Sequence, residues 1–189
     1  EHIIGGILMI AGAILLGLVI SGIIGTIFPE SAGEASELQT SLLGDNIIST
    51  LIVVALVPAI CEEMMFRGYI FTAFEDKFKP KTAMIIAACL FGIYHMSIVR
   101  FFVTAFIGLI ICYVAYKSKS IIPGMIMHFI NNALSCITMY YPQKAGKLLP
   151  ILVSETLSFM DIILLVIWGA LFIYIGKIII NPKKNNNHY

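Results

Sequence analysis

The sequence predicts an all-α fold, a polytopic bundle of about six transmembrane helices with a polar active site within the membrane. Three observations predict it. The chain is 59% hydrophobic and 12% charged, with a mean hydropathy of +0.96, far too apolar for a water-soluble domain. Its apolar residues gather into six runs, most of them near the roughly 20 residues that a helix needs to cross about 30 Å of hydrocarbon. Its few buried ionisable groups recur at helical spacings, which a bilayer tolerates only where they are paired, hydrated or functional.

The first predicted span, 3–28, is too long and uniform for a signal-peptide core and lacks a convincing cleavage site. The chain opens on Glu1 rather than Met, so further spans are expected to be possible upstream. The connection that follows carries Glu30, Glu34, Glu37 and Asp45 and no Lys or Arg. Ser31 and Glu34 have capping-box spacing, which predicts a short surface helix. The remaining spans are expected at 46–72, 82–97, 100–116, 120–140 and 157–177. The third and fourth are short, with a tight turn expected between Ser97 and Arg100. One transmembrane domain, 1–180 with a motif-bearing core at 47–140, thus precedes a polar tail, 181–189, expected to be disordered.

Lysines recur in alternate connections: Lys77, Lys79 and Lys81, then Lys117 and Lys119, then Lys177, Lys183 and Lys184. The positive-inside rule places those connections, and both ends of the chain, in the cytoplasm, with Lys144 and Lys147 as the exceptions. The Lys- and Ile-rich style suggests a bacterial plasma membrane. A net charge of +1 without a strong basic cluster gives no expectation of nucleic acid, and nothing constrains the oligomeric state. Cys61, Cys89, Cys112 and Cys136 lie in apolar runs without CxxC spacing and read as packing residues.

Glu62, Glu63 and Arg67 interrupt the second span. Glu63 and Arg67 stand at i, i+4 with the acid N-terminal, the better orientation for a helix ion pair. Glu62 is rotated about 100° away and has no opposite charge at i+3 or i+4. Its carboxylate must find a partner on another helix, reach water or hold a proton, and each option suits a general base. Pro58, one turn earlier, removes a backbone hydrogen bond to Val54 and predicts a kink.

Two further polar pairs follow, Phe91 with His95 and His128 with Asn132, each at i, i+4 on one helix face. Asn131 projects off the His128 face and is expected to bond locally or between helices. Depth counts bring Glu62 and His128 to similar levels, with His95 about a turn away. Glu62, His95, His128 and Asn132 together suit acyl transfer to water. A carboxylate and an imidazole can deprotonate the water, and a second imidazole with an amide can donate to the oxyanion. No Ser or Cys is marked as a nucleophile, although Cys61 adjoins Glu62. Glu62, His95 and His128 are also a possible zinc set, with no H-E-x-x-H helix among them.

The motifs Glu62-Glu63-x-x-x-Arg67, Phe91-x-x-x-His95 and His128-x-x-x-Asn132 resemble, in order, those of the CAAX protease and bacteriocin-processing (abortive-infection) family of intramembrane proteases. The resemblance implies an endopeptidase that cuts a membrane-associated protein or peptide, by CAAX-type or bacteriocin-leader-like processing. It implies that Glu62 and His95 activate water, that His128 and Asn132 form the oxyanion site, and that Glu63 and Arg67 support them. Family members are often labelled metalloproteases, yet the glutamate-based chemistry requires no cofactor. Metal-free hydrolysis is favoured here, with Zn2+ as the alternative. The competing readings are a membrane immunity or peptide-binding protein on the same scaffold and, last, a proton-coupled carrier.

Overall fold

The computed structural model describes residues 1–148, 150 and 157–181. Among these, the chain forms eight helices and no strand. They are α1 (His2–Ile27), α2 (Pro29–Ser41), α3 (Ile47–Glu75), α4 (Pro80–Tyr94), α5 (Ile98–Ser118), α6 (Ile122–Tyr140), α7 (Pro142–Leu148) and α8 (Phe159–Ile180). Four of them, α1, α3, α5 and α8, are long and apolar enough to cross a membrane. The chain is an integral membrane helix bundle.

The two other expected spans differ from the long four. Helix α4 has 15 residues, and at about 1.5 Å per residue it is shorter than the hydrocarbon core. It stops at Tyr94, so His95 is its C-cap rather than a residue within the helix, and Met96 turns the chain with φ 49°. Helix α6 has 19 residues, diluted by His128, Asn131, Asn132 and Ser135. Both lie against longer neighbours: α4 packs along α5, and α6 sits among α1, α3 and α5.

Three local expectations change. Helix α2 forms, but it begins at Pro29, so Ser31 lies inside it and caps nothing; its hydroxyl instead faces that of Ser97 at 3.3 Å. Around Pro58 the helix changes register: Leu51–Leu56 is π-helical, Val57–Glu63 is α-helical, and Met64–Ile70 is π-helical again. The disturbance expected at Pro58 is thus taken up in widened turns on either side of the acid pair. Residues 182–189 of the expected tail lie outside the described residues; Asn181 caps α8 and donates to the Tyr113 hydroxyl at 2.7 Å.

The core joins Met9, Ile10 and Ala13 of α1 to Ile107, Ile111 and Val114 of α5, Met127 of α6 and Ile180 of α8. Helices α1 and α8 run antiparallel through two glycine pairs, Gly5 with Gly176 and Gly12 with Gly169. A Cβ at Gly12 would lie 2.5 Å from the Gly169 carbonyl, and one at Gly176 the same distance from that of Gly5. Small residues one heptad apart let the two backbones approach, the usual way for lipid-embedded helices to gain packing. Large apolar side chains on the outer faces, such as Ile4, Ile167 and Tyr174, are exposed, as a lipid-facing surface requires.

Candidate active site

Glu62 and Glu63 lie on the one α-helical stretch of α3 between its π segments, near the middle of the helix. Consecutive residues on a helix point about 100° apart, and the two carboxylates enter different surroundings. Glu63 points inward and is fully buried; Glu62 faces a cavity.

The expected ion pair forms, Arg67 Nη1 to Glu63 Oε1 at 2.7 Å, with both side chains fully buried. Arg67 Nη2 also donates to the Gly108 carbonyl of α5 at 2.9 Å, and its guanidinium stacks 4.6 Å from the Phe91 ring centre. The same Glu63 oxygen lies 2.9 Å from His128 Nδ1. A supporting acid thus holds one of the expected site histidines directly, so α3, α5 and α6 are tied together through one buried carboxylate. Gly124 makes room for it, since a Cβ there would lie 3.1 Å from Glu63 Oε2.

His95 is fixed differently. Its Nδ1 is 2.9 Å from the carbonyl of Phe91, and a carbonyl only accepts, so Nδ1 carries the hydrogen and, in the neutral ring, Nε2 has the lone pair. The Phe91 ring lies edge-on to both imidazoles, 4.9 Å from His95 and 5.7 Å from His128. One phenylalanine therefore contacts the arginine and both histidines, which gives the Phe-x-x-x-His spacing a physical role.

Asn132 reaches α3 one turn before Pro58. Asn132 Nδ2 donates to the Val54 carbonyl, in the π-helical stretch, at 3.2 Å, while its Oδ1 accepts from Asn131 at 3.1 Å. One Asn132 amide hydrogen remains. Asn131 bonds locally as expected, and it also lines the cavity.

The cavity, of about 550 Å³, is lined by Glu62, His95, Arg100, Asn131 and Asn132 together with apolar residues of α3, α5 and α6 and the inner side of α2. Three of the four expected catalytic residues meet there. His128 stands behind them, 4% exposed, with Nε2 3.8 Å from Glu62 Oε2, beyond hydrogen-bond length. Glu62 Oε2 is buried with no hydrogen-bond partner among the described residues. Arg100, in the first turn of α5, was legible only as a turn marker; an arginine inside Ile98–Phe102 is the same signal of charge at membrane depth that singled out Glu62. Cys61 is exposed and does not line the cavity, Cys112 is a buried packing residue, and Cys136 is buried on the cavity's α6 wall.

The zinc alternative can be tested on this geometry. Among the described residues no three His, Cys, Asp or Glu side chains are placed to hold a metal ion, so the donor set does not fit one as arranged.

All seven motif residues fall within residues 44–134, which match the family model described as Type II CAAX prenyl endopeptidase Rce1-like. This segment is similar to the Rce1-like family. No curated protein and no solved structure matches the chain. The Rce1-like segment covers α3 to the middle of α6, and so holds the whole polar site, while α1, α2 and α8 lie outside it.

Gly108 of α5 lies within that segment, and a Cβ there would lie 2.9 Å from the Phe91 ring and 3.1 Å from Arg67 Nη2. Gly108→Val is expected to push Phe91 off both histidines and strain the Arg67 anchor, at a cost of about 1–3 kcal/mol. Thermal unfolding in detergent would register it, and an unchanged midpoint would show that Phe91 has room to move.

Proposed function

We propose that this protein is an intramembrane endopeptidase that hydrolyses a peptide bond of a membrane-associated protein or peptide, with Glu62 and His95 activating water. The observation that carries this reading is the pairing of a buried Glu62 oxygen lacking a partner with a histidine whose Nε2 lone pair is free, both on one cavity.

In the proposed step a water held between Glu62 and His95 Nε2 gives up a proton as its oxygen attacks the carbonyl carbon. The carbonyl electrons move onto oxygen, where the remaining Asn132 hydrogen and His128 are the donors. His128 can donate from Nε2 only when both ring nitrogens are protonated, since its Nδ1 faces Glu63; that charge would sit between two carboxylates. Collapse of the intermediate breaks the C–N bond, and the proton taken from water leaves with the amine. Arg100 offers a cation on the same cavity wall for a substrate carbonyl or carboxylate. No metal cofactor is part of this proposal. CAAX-type or bacteriocin-leader-like substrates are the two classes it favours.

The test compares protein and peptide termini by mass spectrometry in cells making the wild type or His95→Ala at matched membrane levels. New termini seen only with the wild type support proteolysis. Identical termini in both, with both proteins folded, would favour a peptide-binding or immunity role on the same scaffold.

A further inference from the structure

Asn131 and Asn132 are neighbours on α6, and neighbouring side chains on a helix point about 100° apart and do not ordinarily face each other. These two do. Asn131 Nδ2 donates to Asn132 Oδ1 at 3.1 Å, and Asn132 Nδ2 donates to the Val54 carbonyl at 3.2 Å. The pair lies where α6 packs on the Leu51–Leu56 stretch of α3, and both side chains line the cavity that Glu62 and His95 share.

The two bonds do different things. The one to Val54 ties α6 to α3, and by itself it would leave the Asn132 amide free to swing about a single contact. The second bond, at the opposite end of the amide, fixes its plane. It also fixes which end is which. Turning the amide over would set Oδ1 against the Val54 carbonyl, acceptor against acceptor, and Nδ2 against the Asn131 amide nitrogen, donor against donor. With Oδ1 and one hydrogen committed, the second Nδ2 hydrogen has one direction left. Packing gives no other reason for Asn131 to be an amide. Among the described residues its side chain makes only the bond to Asn132, and the Ser135 hydroxyl donates to its backbone carbonyl, at 3.2 Å.

We infer that Asn131 is a positioning residue, which acts through Asn132 by holding its amide with the remaining N–H set for the oxyanion. The role of that N–H rests on the proteolytic reading above; the fixed orientation of the amide does not. A donor already aimed before the reaction needs no reorganisation as charge develops on the carbonyl oxygen, whereas one that must first turn loses much of its effect.

Asn131→Leu keeps the shape of the side chain, adds no charge and removes the donor. Purified protein in nanodiscs, assayed on a substrate identified from the termini comparison, should lose about 10–10²-fold in kcat, as a misaimed group does, with KM little changed. Asn132→Ala should lose about 10²–10³-fold. Adding Asn131→Leu to it should cost nothing further, because a residue that works through Asn132 then has nothing to act on. Equal losses from Asn131→Leu in both backgrounds would mark a merely structural residue and overturn the inference, as would an Asn131→Leu protein with the wild-type kcat. A second measurement needs no cleavage. In protein isotopically labelled at the asparagine side-chain nitrogen, the Asn132 resonance is assigned by its loss in Asn132→Ala. Its hydrogens should exchange with solvent about fivefold faster in Asn131→Leu, the factor that one ordinary hydrogen bond gives. An unchanged rate overturns the inference even where no substrate is cut. Identical termini from wild type and His95→Ala would instead bring down the proteolytic reading, and the donor role of Asn132 with it, while faster exchange would still show Asn131 holding the amide.

Discussion

Glu62→Gln is expected to reduce cleavage by about 10²–10⁴-fold, the range associated with a positioned general base, while leaving the protein folded. The substitution is nearly isosteric. Glu62 takes no part in the Glu63–Arg67–Gly108 network, and its Oε2 has no hydrogen-bond partner among the described residues, so little structural bonding is lost. What disappears is the ability to accept a proton, because an amide oxygen at the same place can hold water but not deprotonate it. Purified protein in detergent or nanodiscs, assayed on a substrate identified from the termini comparison, would separate the effects. The unfolding midpoint should match the wild type as the rate falls. A Glu62→Gln variant within tenfold of wild-type kcat/KM would remove Glu62 from the role of base.

Arg67→Ala is expected to show the opposite profile, a loss of stability of about 3–5 kcal/mol with little folded protein left to assay. It leaves the Glu63 carboxylate fully buried without its cation, unbonds the Gly108 carbonyl and removes the charge stacked on Phe91. Glu63→Ala should cost a similar amount by stranding Arg67. Replacing both with Met removes the two charges together, and stability should recover for much the same reason that buried ion pairs often exchange for apolar residues at little cost. Activity should not recover with it, because His128 Nδ1 loses the carboxylate that orients it. Unfolding and cleavage measured on both single variants and the double would decide the matter. A double variant as active as the wild type would reduce Glu63 and Arg67 to packing; one as unstable as either single variant would mean that the charges are not what costs.

An apolar chain in lipid has to satisfy its backbone within each helix, so the existence, order and approximate bounds of the long helices at 2–27, 47–75, 98–118 and 159–180 were written in the hydropathy of the sequence. Glu62, Glu63, Arg67, His95, His128 and Asn132 were legible for the same reason, since polar side chains at membrane depth are too costly to be incidental. The Glu63–Arg67 pair was legible too, because an i, i+4 contact is local. Contacts between helices were not. That Asn132 donates to the Val54 carbonyl, that Glu63 holds His128 across 65 residues, and that Gly108 and Gly124 clear space for that network depend on which faces meet. The early end of α4 at Tyr94, which recesses His95 and brings Arg100 into the cavity, likewise had no mark in the apolar pattern running on to Phe102. The sequence by itself determined a membrane helix bundle and the residues able to do chemistry in it. The packing of α4 and α6 around α3 decided which of them share a cavity, because facing, depth and close approach are properties of pairs of helices and not of any one segment.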